Sequence, residues 1–316
     1  IKALPNTPLF LMMVGLLSAL FFSTTFLLNR AISLEGGHWY WSAALRFCFT
    51  LFLLSIGLIS FKGWRYYAAV WREFKDHFGF WILAGSIGFG LFYGALCFAA
   101  DFAPGWVVAT TWQFTIIASL FVLAFFGRKL PRIIWVFTCV VVLGITLVNV
   151  SHFRIDSFET LFLGALPVLI AAFCYPLGNQ IVWEGKHKRL VLNDESVSIL
   201  NNAFVKVFLL TLGSFPLWII VFFSLEVGLP SKEQSLNVLM ISILSGIVAT
   251  TLFLYARNKA DSPEKLMAVD ATQSGEVFFA LGGEIVFLGA ALPNMLGIAG
   301  LLITLGGLFL LSKNSH

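Results

Sequence analysis

Long apolar stretches separated by short polar or proline-containing breaks dominate the chain. A helix needs about 20 mostly apolar residues to cross the hydrocarbon core of a bilayer. By that length the pattern predicts ten transmembrane helices, at 8–28, 40–61, 79–100, 105–126, 131–149, 160–182, 197–224, 236–257, 265–289 and 294–312. The first stretch is too long for the apolar core of a signal peptide, so we expect it to be retained. The pattern therefore indicates an all-α integral membrane fold.

The composition agrees with that pattern and excludes a soluble fold. Of the 316 residues, 59% are hydrophobic and 11% are charged, and the mean hydropathy is +0.91. Soluble globular domains carry about 25% charged residues, so lipid must be the solvent for much of this surface. The net charge is +4, and the basic residues are scattered rather than gathered in one patch. Because nucleic-acid binding needs a contiguous basic surface, we expect no nucleic-acid partner.

The distribution of basic residues between the predicted loops sets an orientation. Cytoplasmic loops of membrane proteins collect Lys and Arg. With ten spans and a cytoplasmic N-terminus, 15 of the 20 basic residues fall inside, the outside holds only Arg30, Arg154 and Lys232, and Arg46 and Lys206 lie within spans. One span more or fewer would scramble this bias. We therefore predict cytoplasmic N- and C-termini in a plasma membrane, with the bacterial inner membrane as the expected location.

The second half of the chain repeats features of the first half. Residues 96–148 align with 252–310, and each segment has a short Pro turn followed by a span with a central glutamine, Gln113 or Gln273. Each half also has one cation in its second span, Arg46 or Lys206. Five spans is an odd number, so we predict two inverted five-helix repeats, 1–155 and 156–316, that form one transport domain. Such inverted repeats are typical of secondary transporters. The alternative is that spans rich in Leu, Phe and Gly merely look alike.

Several short segments carry a family resemblance. The buried arginine of Leu45-Arg46-Phe47 and the Gly282-Gly283-Glu284 segment before a Gly-rich last span resemble the drug/metabolite transporter superfamily, in its EamA-like branch. The segments 175–180 and 271–276 resemble, more narrowly, its multidrug resistance efflux transporter group. The resemblance covers essentially the whole chain. It implies a secondary active transporter for drug or metabolite efflux that contacts the lipid bilayer and a small-molecule substrate, as a monomer or homodimer.

The ninth predicted span carries the leading candidate for a functional group. Gln273, Glu276 and Glu284 share one helical face, and Glu276 lies about 16 Å from the inner end, near the midplane. Desolvation disfavours the charged form of a buried carboxyl, so Glu276 is a candidate for proton coupling or proton antiport. A fixed salt bridge to Lys206, about 13 Å deep, is the main alternative. A counter-charge for the substrate is the third.

Other polar residues at membrane depth complete the predicted site. By depth, Arg46 and Glu284 suit a structural ion pair, which we favour over a functional role for either residue. Polar and aromatic side chains on three further spans are candidates to line a substrate cavity with Glu276, Gln273 and Lys206; these are Asn29, Thr110, Trp112, Gln113, Tyr175, Asn179 and Gln180. Small polar residues also bond simply across helix interfaces, which is the alternative for this set.

The sequence contains no pattern typical of an enzyme. The five histidines lie in predicted loops or at the end of the chain, and none pairs with a carboxylate at metal-binding or acyl-transfer spacing. The four cysteines fall within apolar stretches and lack metal-ligand spacing. We therefore expect no cofactor, no metal and no catalysis. Uptake or exchange of a polar metabolite is the alternative function, and a membrane-embedded enzyme or accessory subunit is a remote one.

Overall fold

The computed structural model describes residues 7–127, 133–152, 158–188, 198–261 and 263–314, and the regular elements in these ranges are all helices. They are α1 Pro8–Leu34, α2 Trp39–Lys62, α3 Trp64–Asp76, α4 Phe78–Phe102, α5 Gly105–Phe125, α6 Ile133–His152, α7 Phe158–Lys188, α8 Ala203–Ser224, α9 Lys232–Lys259, α10 at 263–288 and α11 Met295–Asn314. Each predicted span thus contains a helix.

Eight of the described helices are long and apolar enough to cross a membrane, namely α1, α2, α4, α5, α6, α7, α8 and α9. Helix α10 is interrupted and carries charges, and the apolar part of α11, Met295–Leu310, is shorter. Crossing by these two helices therefore stays a prediction. The basic cluster at 128–132 and Arg154, which the predicted orientation uses, lie outside the described residues.

Helix α3 was not predicted. It begins after Gly63, whose φ of 84° ends α2 in a conformation that glycine adopts readily. The helix is amphipathic, since Val70 and Phe74 are buried whereas Arg65 and Arg72 are exposed. Its apolar face joins the core cluster that also contains residues of α2, α4, α7 and α8. This segment is short and highly charged, so the apolar-length criterion for membrane spans assigned it to a loop despite its amphipathic pattern.

Four helices depart from regular α geometry near their middles. Helix α4 has a π-helical turn at Ser86–Leu91, and α9 has one at Ser242–Ala249. Helix α5 breaks at Gln113, between Gly105–Trp112 and Phe114–Phe125. Helix α10 passes through a 3-10 turn at Thr272–Ser274. Such irregular turns redirect side chains and free backbone groups, and in membrane proteins they are tolerated where protein or a cavity surrounds them.

The two halves of the chain pack across each other. Helix α1 lies against α9 and α10, and α7 lies correspondingly against α4 and α5. Helices α6 and α11 form the most extensive pair, with Gly144 and Gly300 at the contact. A Cβ atom on Gly300 would lie 2.7 Å from the backbone nitrogen of Val148, so glycine is needed for this approach. Close packing through small residues is typical of helices in lipid.

Candidate functional site

The break in α10 fixes the position of Glu276. Thr272 fills the space beside Gly15 of α1, where any Cβ would collide with the threonine hydroxyl. The side-chain amide of Gln273 donates to the carbonyl of Gly15 at 3.3 Å, which ties the break to α1. Glu276 follows in the first turn of the regular segment Gly275–Leu288 and is buried, with 8% of its surface exposed. A carboxyl near a helix N-terminus lies in a favourable dipole field.

Glu276 makes no hydrogen bond or ion pair with any residue that the structure describes. Lys206, the predicted alternative partner, lies on α8, which packs on α2 and α4 rather than on α10. The charged neighbour of Lys206 is Lys186, a second cation. Counting residues along the helices placed Lys206 and Glu276 at similar depth, but the structure does not bring these two side chains together. The reason is that α8 and α10 occupy different sides of the bundle.

Aromatic side chains form a wall near Glu276. The phenol of Tyr175 lies within electrostatic range of Glu276 and of Arg257. Its ring centroid is 5.8 Å from that of Trp112 in an edge-on arrangement, and both rings contact Phe92 with centroids 5.0 Å apart. Tyr175 keeps 38% of its surface exposed, so these rings leave space in front of it. The structure thus brings together two predicted wall residues, Trp112 and Tyr175, with Glu276.

Four further predicted wall residues form hydrogen bonds within single helices. Thr110 donates to the carbonyl of Trp106 at 2.7 Å, and the Gln113 amide donates to that of Ala109 at 3.5 Å. On α7, Asn179 donates to the carbonyl of Tyr175 at 2.9 Å, and Gln180 donates to the Glu184 carboxylate at 3.1 Å. These bonds are local to each helix, so the contacts alone assign none of the four residues to the cavity.

Glu284 and Arg46, the predicted ion pair, have different partners. One carboxylate oxygen of Glu284 accepts a 2.6 Å hydrogen bond from the backbone nitrogen of Gly105, and the other accepts a 3.4 Å bond from that of Trp106. Glu284 therefore caps the start of α5, where free N–H groups need an acceptor. Its cationic neighbour is Arg30. Gly105 also permits a close approach of α1, because a Cβ there would lie 2.7 Å from the carbonyl oxygen of Phe26.

Arg46 belongs to a polar group between α1, α2, α4 and α9. Its guanidinium carbon lies 4.0 Å from the centroid of the Tyr93 ring, a cation–π contact, and one of its nitrogens lies 3.5 Å from the Ser245 hydroxyl. Asn29 donates to the Tyr93 hydroxyl at 3.0 Å. Thr50, one turn beyond Arg46 on α2, is also buried. We call Asn29, Arg46, Thr50, Tyr93 and Ser245 the Arg46 cluster.

Sequence reasoning missed Tyr93 and Ser245 as partners of Arg46, and Thr50 as its buried neighbour on α2. Spacing contained a signal for Thr50, which follows Arg46 by four residues and so shares its helical face. Tyr93 and Ser245 lie on other helices, where only packing could reveal them. A criterion based on apolar length also could not predict the π-helical turn that contains Ser245. Among the described residues, no group of three His, Cys, Asp or Glu side chains is placed to hold a metal ion.

A separate cavity of about 290 Å³ lies between α2 and α8. Its walls are almost wholly apolar and include Tyr40, Cys48, Trp218 and Phe222. Tyr40 closes one end by donating from its hydroxyl to the carbonyl of Trp218 at 3.1 Å. Because the lining offers few polar groups, this cavity suits an acyl chain or another lipid-like segment rather than a polar ligand.

Comparison with known proteins was made by family, by sequence and by structure. The family model described as "EmrE: Putative multidrug resistance efflux transporter" matches residues 10–316. The chain is 37% identical over 313 residues to the uncharacterized protein YjlA of Bacillus subtilis (strain 168), covering 94% of this chain and 92% of that protein. It is also 37% identical over 279 residues to an uncharacterized 42.1 kDa protein of Shouchella clausii, covering 84% of this chain and 69% of that one.

A solved crystal structure shares the fold. It superposes with a TM-score of 0.56 and covers 96% of this chain and 97% of its own, at 16% sequence identity. At that identity the likeness concerns the arrangement of helices alone. It shows that the architecture described above occurs in a protein whose side chains differ at most positions.

Proposed function

The chain belongs to the EmrE multidrug resistance efflux transporter family, and from that premise we propose that it is a secondary active transporter that exports small molecules and couples this export to protons through Glu276. Membership implies a role in small-molecule transport and a multi-pass membrane protein that contacts lipid and substrate. The direction of transport and the coupling ion are our proposals.

The observation that supports coupling is the isolation of the Glu276 carboxyl. It is buried on the broken helix α10 and has no ion-pair partner among the described residues. A carboxylate locked in a salt bridge would stay ionised, whereas an unpaired buried carboxyl can gain and lose a proton as access to water changes. The neighbouring Tyr175 offers a hydroxyl and an aromatic face to a substrate. Protonation of Glu276 can then be linked to substrate binding beside it.

We further propose ten spans arranged as two inverted repeats, 1–155 and 156–316. Three features support this arrangement. The third span of each proposed repeat, α4 or α9, has a π-helical turn, and the fourth span, α5 or α10, is broken at a glutamine-containing turn. The first helix of each repeat packs on the third and fourth helices of the other. Secondary transporters commonly place their sites at such broken helices between repeats.

Uptake or exchange of a polar metabolite remains the alternative within the same fold. The buried Glu276 is compatible with either direction, because a protonatable site couples fluxes according to the gradients imposed. Proton-coupled export predicts that an inward proton gradient drives outward flux of the substrate against its concentration gradient. Uptake or exchange predicts no such outward flux. Reconstituted protein of known orientation therefore separates them.

The test uses the full chain in proteoliposomes containing the pH dye pyranine. Ethidium, benzoate and leucine are supplied separately, and an imposed pH gradient drives flux. We expect wild-type protein to show gradient-driven flux of at least one compound, and Glu276→Gln to lose the dependence on the gradient while still equilibrating that compound. Glu284→Gln is the matched control, since it removes a second buried carboxyl from the same helix and should keep the gradient dependence. Gradient-driven flux that is unchanged in Glu276→Gln would falsify the coupling role.

A further inference from the structure

The Arg46 cluster contains a cation that has no anionic partner among the residues that the structure describes. Among the described residues, the carboxylates at membrane depth have other neighbours: Asp101 and Glu284 face Arg30, Asp270 pairs with Arg257 at 3.0 Å, and Glu276 has no cationic partner. An arginine within the hydrocarbon region is costly, and such residues ordinarily face a bundle interior and pair with an opposite charge. Arg46 meets the first condition but not the second.

Most hydrogen-bond donors of Arg46 are also unused. A guanidinium carries five N–H donors in a planar fork. The structure uses few of them, in a long 3.5 Å hydrogen bond to Ser245 and in interactions with the ring and the hydroxyl of Tyr93. None of its nitrogens is among the fully buried side-chain atoms that lack a partner, and the residue is half-buried. The donors that are not bonded to Ser245 or Tyr93 are therefore accessible rather than sealed in packed protein.

Two neighbours of Arg46 have buried polar atoms without partners. The side-chain oxygens of Asn29 and Thr50 are fully buried and form no hydrogen bond with any described residue. Each residue has only 5% of its surface exposed. A buried polar atom without a hydrogen-bond partner destabilises the folded protein. Reversing the Asn29 amide would only move the deficit to its nitrogen. Asn29, Arg46 and Thr50 thus lie in one cluster, and each has a hydrogen-bonding group without a partner among the described residues, which is the pattern expected of a ligand site.

We propose that the Arg46 cluster binds the carboxylate of the transported molecule, so that the cargo is an organic anion. The forked donors of Arg46 match the two oxygens of a carboxylate, and the Thr50 hydroxyl adds a further donor. The free Oδ1 of Asn29 accepts a hydrogen bond from a water beside the ligand, because a carboxylate has no proton to donate; with the amide reversed, its nitrogen donates to the carboxylate instead. This assignment rests on the proposed transport function and names the class of its substrate.

The surroundings define the rest of the ligand. Phe47, next to Arg46 in sequence, stacks between Phe89 and Trp218 with centroid distances of 5.9 and 5.7 Å. These rings form an apolar floor beside the charged head group. An organic cation would be repelled by Arg46, and the Tyr93 face that could receive such a cation is already occupied by the guanidinium. The site therefore fits an aromatic or branched aliphatic body that ends in one carboxylate.

Ligand-induced stabilisation of the purified full chain in detergent tests this proposal. The probes are acetate, benzoate and indole-3-acetate, each compared with its neutral amide at the same ionic strength. A ligand that binds only the folded protein raises its apparent melting temperature in proportion to occupancy. We expect at least one carboxylate to raise the melting temperature of wild-type protein by several degrees, and its amide to have a much smaller effect. The carboxylate effect should disappear in Arg46→Gln.

Two further variants keep the result interpretable. Lys206→Gln is the matched control, because it removes the cation at the corresponding place in the other half, and it should retain the carboxylate effect. Arg46→Lys keeps the charge without the fork and should weaken the effect; it replaces Arg46→Gln if that variant does not fold. Absence of a carboxylate effect in wild-type protein, or its full persistence in both Arg46 variants, overturns the anion site.

Failure of the anion site and failure of transport give different results. Carboxylate stabilisation that needs Arg46, together with no flux of benzoate in proteoliposomes, leaves the site intact and contradicts transport of that class. Glu276-dependent flux of ethidium with no carboxylate stabilisation contradicts the anion site alone. Flux of benzoate that is lost in Arg46→Gln and retained in Lys206→Gln supports both.

Discussion

The cap that Glu284 places on α5 leads to a specific prediction about stability. Glu284 is 1% exposed, and its carboxylate accepts from the backbone nitrogens of Gly105 at 2.6 Å and Trp106 at 3.4 Å. Glu284→Ala leaves the first of these donors buried and unpaired and weakens the second contact. Burying an unpaired donor costs about 1–3 kcal/mol, and loss of an N-terminal cap typically costs about 1 kcal/mol. These two costs describe partly the same lost hydrogen bonds, so they do not simply add. We expect Glu284→Ala to lower the free energy of unfolding by about 3 kcal/mol in total.

Glu284→Gln separates the hydrogen bond from the charge. The amide oxygen can still accept from Gly105, but the charge-assisted part of the bond is lost, so we expect a cost of about 1 kcal/mol. Glu276→Gln is the contrasting variant on the same helix. Its carboxyl is also buried yet has no hydrogen-bond or ion-pair partner among the described residues. We expect this substitution to leave the free energy of unfolding unchanged or to raise it.

Thermal unfolding in one detergent at one scan rate measures these differences. With an unfolding entropy of about 2.1 cal/mol/K per residue, a change of 1 kcal/mol shifts the melting temperature of this 316-residue chain by about 1.5 °C. Glu284→Ala should therefore melt about 4–5 °C below wild type. Hydrogen exchange supplies a local readout, since the first turn of α5 should exchange faster in Glu284→Ala only. A melting temperature equal to that of wild type, or a larger loss in Glu276→Gln, would refute the capping argument.

Two further predictions concern packing and orientation. Gly178→Ala would place a Cβ atom against the backbone of Gly88 on α4, so we expect the free energy of unfolding to fall by about 1–3 kcal/mol. Gly57→Ala is the control, since no neighbouring atom lies within 4 Å of its Cβ position, and it should change stability little. Equal melting temperatures for the two variants would contradict the close approach of α4 and α7. Orientation is tested by single-cysteine labelling in a background without the four native cysteines. Lys186→Cys should react with an impermeant maleimide only after the membrane is opened, whereas Gly228→Cys should react in intact cells. The reverse pattern would contradict cytoplasmic termini.

The amino-acid sequence by itself determined where the helices lie. Membrane thickness sets a required apolar length, and this requirement located a helix within all ten predicted stretches to within a few residues at most ends. It missed α3, whose length and charge fit no membrane span. The sequence also singled out Gln113 and Gln273 as polar points in otherwise apolar segments, but the breaks of α5 and α10 at these positions were not predicted.

Only the tertiary structure decided which polar side chains meet. Counting residues along a helix gives the depth of a side chain, but depth does not say toward which neighbour the side chain points. Lys206 and Glu276 were expected at similar depths, yet α8 and α10 lie on different sides of the bundle. Arg46 and Glu284 likewise matched in depth, but the backbone at the start of α5 binds the Glu284 carboxylate, and Arg46 packs on Tyr93. Helix contacts through small residues set these partners, and they depend on the whole packed arrangement.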